Sequence, residues 1–582
     1  MHADPATSPA RAPVADGLRS ARYPAGKPWW AAALAILLLA AGLRFWALDF
    51  GVPNHRTRPD EYPVIQHTRR PALGMYDVNW SVYPHAYVYA TWLWTETGLR
   101  VAQGLGLQPD DDYAEIVQRD PTRLYPIARS LSAVAGTAAV LVLMLLTRGA
   151  FGNAAALAAG VLLATSFLHA RDSHGIKPDV LQSLATVGTF ALLAPLLRRP
   201  SLRSGAVAGL GVGAAMAAKY PGLLLALPVY AAAVMSSAAR GWKRLLPGPA
   251  VAAGISAAAF FVLTSPYLVL DSENYMWVLR VVFPQLFGVS ELPGDAPPVE
   301  NTSGAPAGIV EYGGGEWWEA FAYHAGFSLR YGMGLLPALL APFALVWGFA
   351  SRIALARCAA LFATLYFVVI GLSPAIVARY MTPLVPVLYF LEAGMLWGAC
   401  TRIASHGAGI RAFGREIPRV RAAAFAMAVA TLLLAAEPLA GIVAHNRIAA
   451  REDTRVQATR WMEEKLPRGA RLVILGEVLM PYGRPLPPRG SKLLRVEPSP
   501  EKLAEAGVGY VVMHEHELYS STVDPEIKRR LAPRLELLVE FDPYTERRSE
   551  AVFEEIDPYY IPFHGFAGVE LPGPRVRIYR FE

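Results

Sequence analysis

The sequence is poor in cysteine and in charge. Its two cysteines, Cys358 and Cys400, both lie in or beside apolar runs, which excludes a disulfide framework and a cysteine zinc site. Charged residues make up 17% of the chain, against roughly 25% in soluble proteins. This deficit excludes a disordered chain and a nucleic-acid-binding domain, and it argues against a wholly soluble protein. The net charge of +7 can come from cytoplasmic loops alone, so no nucleic acid partner is expected.

The sequence of 582 residues is rich in long apolar stretches. Apolar residues make up 54% of the chain, and eleven stretches approach the length of about 17 to 25 residues that a helix needs to cross a bilayer. The predicted fold class is therefore mainly α, a polytopic membrane helical bundle. The eleven predicted spans lie near residues 29–48, 127–147, 153–170, 178–197, 204–219, 221–238, 249–267, 330–350, 354–372, 381–400 and 421–443.

Basic residues indicate how these spans are oriented. With a cytoplasmic N-terminus, the inner connections are rich in Arg while the short outer ones hold few basic residues, as the positive-inside rule requires. Residues 1–28 are then a cytoplasmic tail, residues 29–443 form the transmembrane domain, and residues 444–582 lie outside. The abundance of Arg and Ala favours a bacterial inner membrane, with the outer side facing the periplasm.

Three long segments are predicted on the outer side. Residues 49–126 carry a dense aromatic stretch, which favours one or two helices along the membrane surface. Residues 268–328 contain a Pro/Gly-rich part, Leu292 to Gly315, typical of a mobile loop such as a lid. Residues 444–582 predict a small α/β domain, with helices near 453–466, 499–507 and 524–533 and strands near 471–476, 509–513, 535–541 and 575–580.

Two adjacent carboxylates, Asp60 and Glu61, stand just outside the first predicted span. A carboxylate at a membrane surface can act as a general base that accepts a proton from an acceptor hydroxyl. The alternative is structural, because acidic side chains also favour the start of a helix through its dipole.

Basic residues gather at the predicted outer face, against the positive-inside bias. Ionisable groups near membrane spans are costly and are functional candidates by default, although each alone can extend to the lipid headgroups. Together they can hold the phosphate of a lipid whose tail lies in the bilayer. The candidates for this phosphate site are Arg129, Arg171, Lys177, Lys219, Arg379 and the adjacent Tyr380.

His174 and Asp179 lie in the same outer connection as Arg171 and are candidates for a supporting role. His174 can equally be a loop histidine with ordinary partners. No second His, Asp or Glu stands at helical ligand spacing from it, so no metal ligand set is predicted. No cofactor is required by these patterns, and the need for a divalent metal stays open.

Taken together, these residues resemble the polyprenyl-phosphate-dependent glycosyltransferases of the GT-C class. The chain is most similar to the dolichyl-phosphate-mannose protein mannosyltransferase-like group, family 39, and its bacterial relatives, over roughly residues 30–400. The matching elements are the outer Asp-Glu pair, an Arg-x-x-Ser-Ala-x-x-Gly stretch at Arg129, an Arg-x-Ser-His segment at Arg171, a Lys-Tyr element at Lys219 and an Arg-Tyr-x-x-Pro element at Arg379.

This resemblance implies an enzyme that transfers a sugar, mannose or similar, from a polyprenyl-phosphate donor at the outer leaflet. It also implies inversion at the sugar, with Asp60 as the base and Glu61 positioning or assisting. The acceptor is left open as lipid, glycan or protein, because no lectin-like insert of the eukaryotic protein mannosyltransferases is seen in the sequence.

Other functions fit part of the pattern. A multispan lipid or solute transporter would place ionisable groups near the bilayer midplane and often show repeats, whereas these charges gather at one face. A lipid-linked oligosaccharide ligase or polymerase would use similar cations on a pyrophosphate. A membrane scaffold for polysaccharide assembly would leave Asp60 and Glu61 without a purpose.

Overall fold

The computed structural model describes most of the chain. The described residues are 26–238, 241–277, 318–373, 376–406, 411–412, 415–416, 418–476, 481–518, 522–545, 550–554, 557 and 559–582. The Pro/Gly-rich part from Leu292 to Gly315, predicted as a lid, lies outside them.

The first half of the described chain is helical. Its helices are α1 (Lys27–Phe45), α2 (Glu61–Ala72), α3 (His85–Gly104), α4 (Tyr113–Arg119), α5 (Tyr125–Phe151), α6 (Asn153–Thr165), α7 (Phe167–Asp172), α8 (Asp179–Arg198), α9 (Leu202–Ala218), α10 (Ala226–Ser236), α11 (Gly248–Thr264), α12 (Tyr267–Leu270) and α13 (Ser272–Trp277). Short 3₁₀ turns at Pro121–Leu124, Tyr220–Leu225 and Gly241–Arg244 join some of them.

More apolar helices follow the undescribed part of the middle outer segment. They are α14 (Glu319–Tyr323), α15 (Arg330–Met333), α16 (Leu335–Ala350), α17 (Ala354–Gly371), α18 (Val385–His406) and α19 (Arg419–Ala449). A π-helical turn, His324–Leu329, joins α14 to α15, and a 3₁₀ turn, Ala378–Met381, precedes α18.

Within the described residues, five helical stretches are long and apolar enough to cross a membrane, or six if one bent pair counts as a span. The five are Lys27–Phe45, Pro121–Phe151, Asp179–Arg198, Ala354–Gly371 and Arg419–Lys465. Each of the eleven predicted spans overlaps an apolar helix, but several of these helices have only 10–17 residues. The chain is thus a mainly helical membrane protein, as predicted.

Glycines explain two of the interruptions. Gly152 has φ 96° between α5 and α6, and Gly334 has φ 93° between α15 and α16, a backbone region that other residues rarely adopt. At Gly334 the chain bends by 118°. A stretch that looks like one apolar run in the sequence is therefore a broken helix in the fold.

Small residues allow α9 and α11 to pack backbone to backbone. A Cβ atom at Gly205 would lie 2.1 Å from the carbonyl oxygen of Pro249, and one at Gly209 equally close to that of Ala253. Helices in a membrane associate through such close van der Waals contact, since lipid provides no hydrophobic drive between them. These close contacts at Gly205 and Gly209 fix the position of α9 against α11. The C-terminal end of α9 leads to Lys219.

The first outer segment folds into three helices, α2 to α4, instead of the one or two predicted. Asp112 caps α4 by accepting hydrogen bonds from the backbone N–H groups of Ala114 and Glu115. Buried aromatic and aliphatic side chains from α2, α3, α4 and the start of α5 form a core of their own. That core supports the turn in which Asp60 lies.

The C-terminal part is an α/β domain, and every element predicted for it is present. It contains α20 (Thr454–Lys465), α21 (Pro500–Glu505), α22 (Pro525–Leu531), and strands at Arg471–Leu475, Lys492–Leu493, Tyr510–Glu515, Leu535–Phe541 and Arg575–Phe581. In the five-stranded sheet, Arg471–Leu475 pairs in parallel with Tyr510–Glu515, and Arg575–Phe581 lies antiparallel between Tyr510–Glu515 and Leu535–Phe541. In the described part of this segment (residues 550–554, 557 and 559–563), the chain leaves this sheet and reaches the membrane bundle.

Candidate active site

Asp60 stands at the start of α2 with a left-handed backbone, φ 69°. Residues other than glycine pay for this conformation, and it recurs at functional sites. The Asp60 carboxylate accepts a hydrogen bond from Arg379 at 2.8 Å and one from the Tyr83 hydroxyl at 3.2 Å. Asp60 therefore does stand at the start of a helix, as the structural alternative predicts. Its side chain, however, contacts Arg379 and Tyr83.

Glu61 is fully buried and is held by Arg129. The Arg129 guanidinium donates to both carboxylate oxygens, at 3.0 and 2.7 Å, and also to the carbonyls of Leu48 and Phe50 at 2.8 and 2.7 Å. The backbone N–H of Ile176 donates to the same carboxylate at 3.0 Å. Most donors of Arg129 are thereby occupied, so the geometry favours a positioning role for the pair over the phosphate contact predicted for Arg129.

Lys219 and Asp179 form a second pair next to Arg379. The Lys219 Nζ donates to Asp179 Oδ1 at 2.7 Å and lies 4.2 Å from the centre of the Tyr380 ring. Asp179 Oδ2 is 3.9 Å from the Arg379 Nε. Arg379 thus links this pair to Asp60, and four predicted site residues from separate parts of the chain meet here.

Lys177 and Arg171 lie deeper and face a residue from the C-terminal domain. The Lys177 Nζ donates to Asp557 Oδ1 at 2.6 Å, and Arg379 Nη1 lies 2.9 Å from Asp557 Oδ2. Arg171 donates to the Asp557 carbonyl at 3.0 Å and forms an ion pair with Glu554 at 3.0 Å. All the predicted phosphate-binding cations except Arg129 therefore lie in one ion cluster.

His174 is buried beside this cluster. Its Nδ1 donates to the Arg171 carbonyl at 3.2 Å, and burial lowers the pKa of His174 to about 4. The imidazole is therefore neutral at ordinary pH and contributes a fixed hydrogen bond. His174 thus contacts the backbone of Arg171, and its supporting role stays a prediction.

Exposure divides the cluster into an open side and a closed side. The Asp60 side chain is 31% exposed and that of Lys219 is 12% exposed, whereas Lys177, Arg171 and Asp557 are almost completely buried. A substrate therefore meets Asp60 and Lys219 first. The buried charged side chains lie behind Asp60 and Lys219 and determine the electrostatic potential there.

Two buried phenols near Asp60 stay protonated at ordinary pH. Burial, together with the Asp60 carboxylate, raises the pKa of Tyr83 well above its ordinary value. Tyr83 stays protonated and donates to Asp60. Burial also raises the pKa of Tyr482, a residue of the C-terminal domain near Asp60 and Asp557.

The sequence did not identify the contribution of the C-terminal domain. Asp557, Glu554 and Arg58 all belong to the ion cluster, and Arg58 lies 3.4 Å from Asp557 and over the ring of Tyr559. Arg58 was visible beside Asp60 in the sequence. Asp557 and Glu554 carry no local signal, because they are ordinary acidic residues in a polar domain.

Among the described residues, no three His, Cys, Asp or Glu side chains lie close enough together to hold a metal ion. The carboxylates near Asp60 are paired with Arg or Lys instead. What this arrangement can do chemically is accept a proton at Asp60 and bind an anion beside it.

A family model supports the resemblance seen in the sequence. Residues 127–269 match the family described as dolichyl-phosphate-mannose-protein mannosyltransferase. This match includes Arg129, Arg171, Lys177 and Lys219, and it confirms the similarity to GT-C glycosyltransferases over that range. It supports membrane glycosyl transfer as the activity. No curated protein matches the chain.

Solved structures with a similar arrangement are distant. ArnT from Cupriavidus metallidurans bound to undecaprenyl phosphate is 16% identical with a TM-score of 0.47, covering 95% of this chain and 97% of its own. The oligosaccharyltransferase AglB from Archaeoglobus fulgidus, in complex with an inhibitory peptide and a dolichol-phosphate, is 13% identical with a TM-score of 0.43, covering 95% and 89%. The mycobacterial arabinofuranosyltransferase AftD is 13% identical with a TM-score of 0.42, covering 95% and 40%. Similarities this distant assign no role to any residue.

Proposed function

We propose that this chain is an integral-membrane glycosyltransferase that moves a sugar from a polyprenyl-phosphate donor to an acceptor hydroxyl, with Asp60 as the general base. The observation that carries the proposal is the contact between Asp60 and Arg379 on the open side of the ion cluster, with Lys219 beside it. In an inverting transferase the proton acceptor and the phosphate site lie on opposite sides of the same sugar, so the two must be about one sugar apart.

The base accepts the proton of the acceptor hydroxyl as its oxygen attacks the anomeric carbon. The new glycosidic bond forms while the bond between that carbon and the phosphate oxygen breaks, and the lipid phosphate leaves with the electron pair. Attack opposite the leaving group inverts the anomeric configuration. Positioned general bases contribute about 10² to 10⁴-fold to such rates.

The cations act on the leaving group. Charge develops on the phosphate oxygen as the sugar departs, so a guanidinium or ammonium that binds this charge more tightly in the transition state accelerates the step. Arg379 and Lys219 are the cations next to Asp60. Lys177 and Arg171 lie behind them, each paired with buried acidic side chains, and Tyr380 supports Lys219 through its ring face.

Glu61 has a different task from Asp60. Its carboxylate joins Arg129 of α5 to the backbone at Ile176, so it fixes the position of α2 against α5 and the connection before α8. The Asp60 turn is held at the end of this buried pair. Glu61 therefore assists the base by positioning it.

The family match favours mannose as the sugar, since its description names dolichyl-phosphate-mannose. The basic inner connections favour an active site on the periplasmic side of a bacterial inner membrane. The acceptor is a lipid, a glycan or a protein with a free hydroxyl that reaches the open side at Asp60.

The test is transfer by purified protein in lipid nanodiscs, supplied with undecaprenyl-phosphate-linked mannose and, in parallel, with other undecaprenyl-phosphate sugars. We expect release of undecaprenyl phosphate and glycosylation of an acceptor fraction from membranes, both lost in the Asp60→Asn protein. An inverted anomeric configuration in the product supports the single displacement. Movement of intact donor across the bilayer of sealed proteoliposomes, without cleavage of its sugar, would instead establish the transporter alternative.

A further inference from the structure

Asp557 is the most highly connected acidic residue in the ion cluster. Lys177 reaches its Oδ1 at 2.6 Å, while Arg379 and Arg58 reach its Oδ2 at 2.9 and 3.4 Å. These basic residues come from three separate segments of the membrane domain. One carboxylate from the C-terminal domain therefore sets the spacing between them.

The same C-terminal segment also holds the backbone next to Arg379. Glu554 accepts a hydrogen bond from the N–H of Ala378 at 2.7 Å, and Ala378 begins the 3₁₀ turn that contains Arg379. Arg379 is thus fixed twice by this segment, through its side chain by Asp557 and through its backbone neighbour by Glu554. Its other guanidinium nitrogen remains directed at Asp60.

The segment is firmly anchored in the bundle. Tyr559 is buried, its hydroxyl donates to the Arg171 carbonyl at 3.2 Å, and the guanidiniums of Arg58 and Arg171 lie 3.4 and 4.3 Å from its ring centre. Phe563 packs against Phe167 of α7. A loosely placed tail would not bury these side chains, so Asp557 is a built part of the site.

Charge balance gives Asp557 a specific effect. Five basic side chains of the cluster (Arg58, Arg171, Lys177, Lys219 and Arg379) face four acidic ones (Asp60, Asp172, Asp179 and Asp557) and Glu554, whose pKa burial raises to about 7, in the described structure. Breaking one partner of a buried charge network leaves the other uncompensated. Loss of Asp557 releases Lys177 and Arg379 together.

We propose that Asp557 is a positioning residue for glycosyl transfer, through which the C-terminal domain completes the active site by holding Lys177 and Arg379 at the spacing that the donor phosphate requires. The proposal rests on the proposed function. It assigns the C-terminal domain to the catalytic unit, acting through the two cations.

Protonation of Lys177 provides a readout that a merely structural role would not move. Burial and the charge of Arg379 lower the pKa of Lys177 to about 8, while Asp557 raises it. The other charged groups that face Lys177 are Arg58 and Asp60, both from the loop before α2. Because activity needs the charged ammonium, the alkaline limb of the pH–rate profile reports this pKa.

The experiment compares wild type, Asp557→Asn and Asp557→Glu in nanodiscs, with Glu515→Gln as the control. Glu515 also pairs with two cations, Arg577 and Lys528, but lies on the sheet of the same domain. Donor KM, kcat, the pH–rate profile and the melting temperature are measured with an undecaprenyl-phosphate sugar, and binding of undecaprenyl phosphate is measured separately.

For Asp557→Asn we expect kcat to fall on the order of a hundredfold, as misplacement of catalytic groups by about 1 Å can produce, with a much smaller change in donor KM. The alkaline limb of the pH–rate profile of this variant moves to lower pH, because Lys177 has lost the carboxylate that stabilises its charge. Asp557→Glu keeps the limb in place and recovers part of kcat. Glu515→Gln behaves as wild type.

For a folded Asp557→Asn protein, an unshifted alkaline limb of the pH–rate profile or a wild-type kcat overturns the proposal. If Asp557→Asn does not fold, Asp557→Glu becomes the deciding variant. A folded Asp557→Glu protein with wild-type kcat overturns the proposal. Wild type that neither binds undecaprenyl phosphate nor cleaves any donor defeats the proposed function itself. The two failures are therefore distinguishable.

Discussion

Arg379 donates a hydrogen bond to the Asp60 carboxylate across 2.8 Å, although 319 residues separate them in the chain. The contact joins the turn after the first membrane helix to the turn before α18. It brings the proton acceptor of the proposed reaction next to a guanidinium that also faces Asp557. The consequences of this arrangement can be measured one residue at a time.

Substitution of Arg379 tests the phosphate contact. In Arg379→Lys the positive charge remains, but the planar fork that faces Asp60 and Asp557 together is lost. We expect weaker binding of undecaprenyl phosphate and a higher donor KM, by about ten- to a hundredfold, the equivalent of one charge-assisted hydrogen bond. Arg379→Ala should weaken binding further.

The matched control for Arg379 is Arg330→Lys, which alters an ion pair with Glu437 in another part of the membrane domain. It should leave donor affinity unchanged. Equal affinities in wild type and Arg379→Ala, measured by equilibrium binding in nanodiscs, would remove Arg379 from the phosphate site.

Substitution of Glu61 tests the positioning role. Glu61→Gln leaves the buried Arg129 without its counter-ion, a change that costs about 3 to 5 kcal/mol in comparable buried pairs. We expect a large fall in melting temperature together with lower activity per purified molecule. A Glu61→Gln protein that melts as wild type does and yet transfers no sugar would instead place Glu61 in the chemistry.

The fold was largely predictable, because apolar runs and alternating patterns are local properties. The helices in the membrane and the strands of the C-terminal sheet follow from them. Helix lengths were less predictable, since Gly334 breaks the span predicted at 330–350 and Gly152 ends α5 several residues beyond the predicted end of its span. Their positive φ angles become visible only when the chain is folded.

Only some residues of the candidate site were predictable from the sequence. Lys219 and Arg379 stand out in the sequence because basic residues on the outer face run against the positive-inside bias. The pairing of Arg129 with Glu61 and the arrival of Asp557 depend on how helices and domains dock. Such contacts leave no periodic or compositional trace in the sequence.

The raised pKa of the buried Glu554 carboxyl predicts that the stability of the protein depends on pH. Burial raises the pKa of Glu554 from its ordinary 4.5 to about 7, an effect opposed by the charge of Arg171. The folded protein therefore holds a proton that the unfolded chain releases at lower pH. This contribution to stability is present below about pH 4.5 and is lost as the pH rises toward about 7.

The measurement is the melting temperature of wild type and Glu554→Gln between about pH 5 and about pH 8, a window set by the pKa of this carboxyl. We expect wild type to lose stability relative to the variant as pH rises, because glutamine carries no charge to desolvate. Glu536→Gln, which removes an exposed pair with Arg580, is the control. Parallel curves for wild type and Glu554→Gln would contradict the raised pKa.

The most direct measurement of the account is single-turnover transfer by Asp60→Asn, with undecaprenyl-phosphate binding measured on the same preparation. Asp111→Asn, which alters a surface pair with Arg123 in the same outer segment, is the control. We predict that Asp60→Asn folds and binds the lipid phosphate but transfers sugar about 10² to 10⁴-fold more slowly, while Asp111→Asn retains the wild-type rate. Transfer at the wild-type rate by Asp60→Asn would contradict the account.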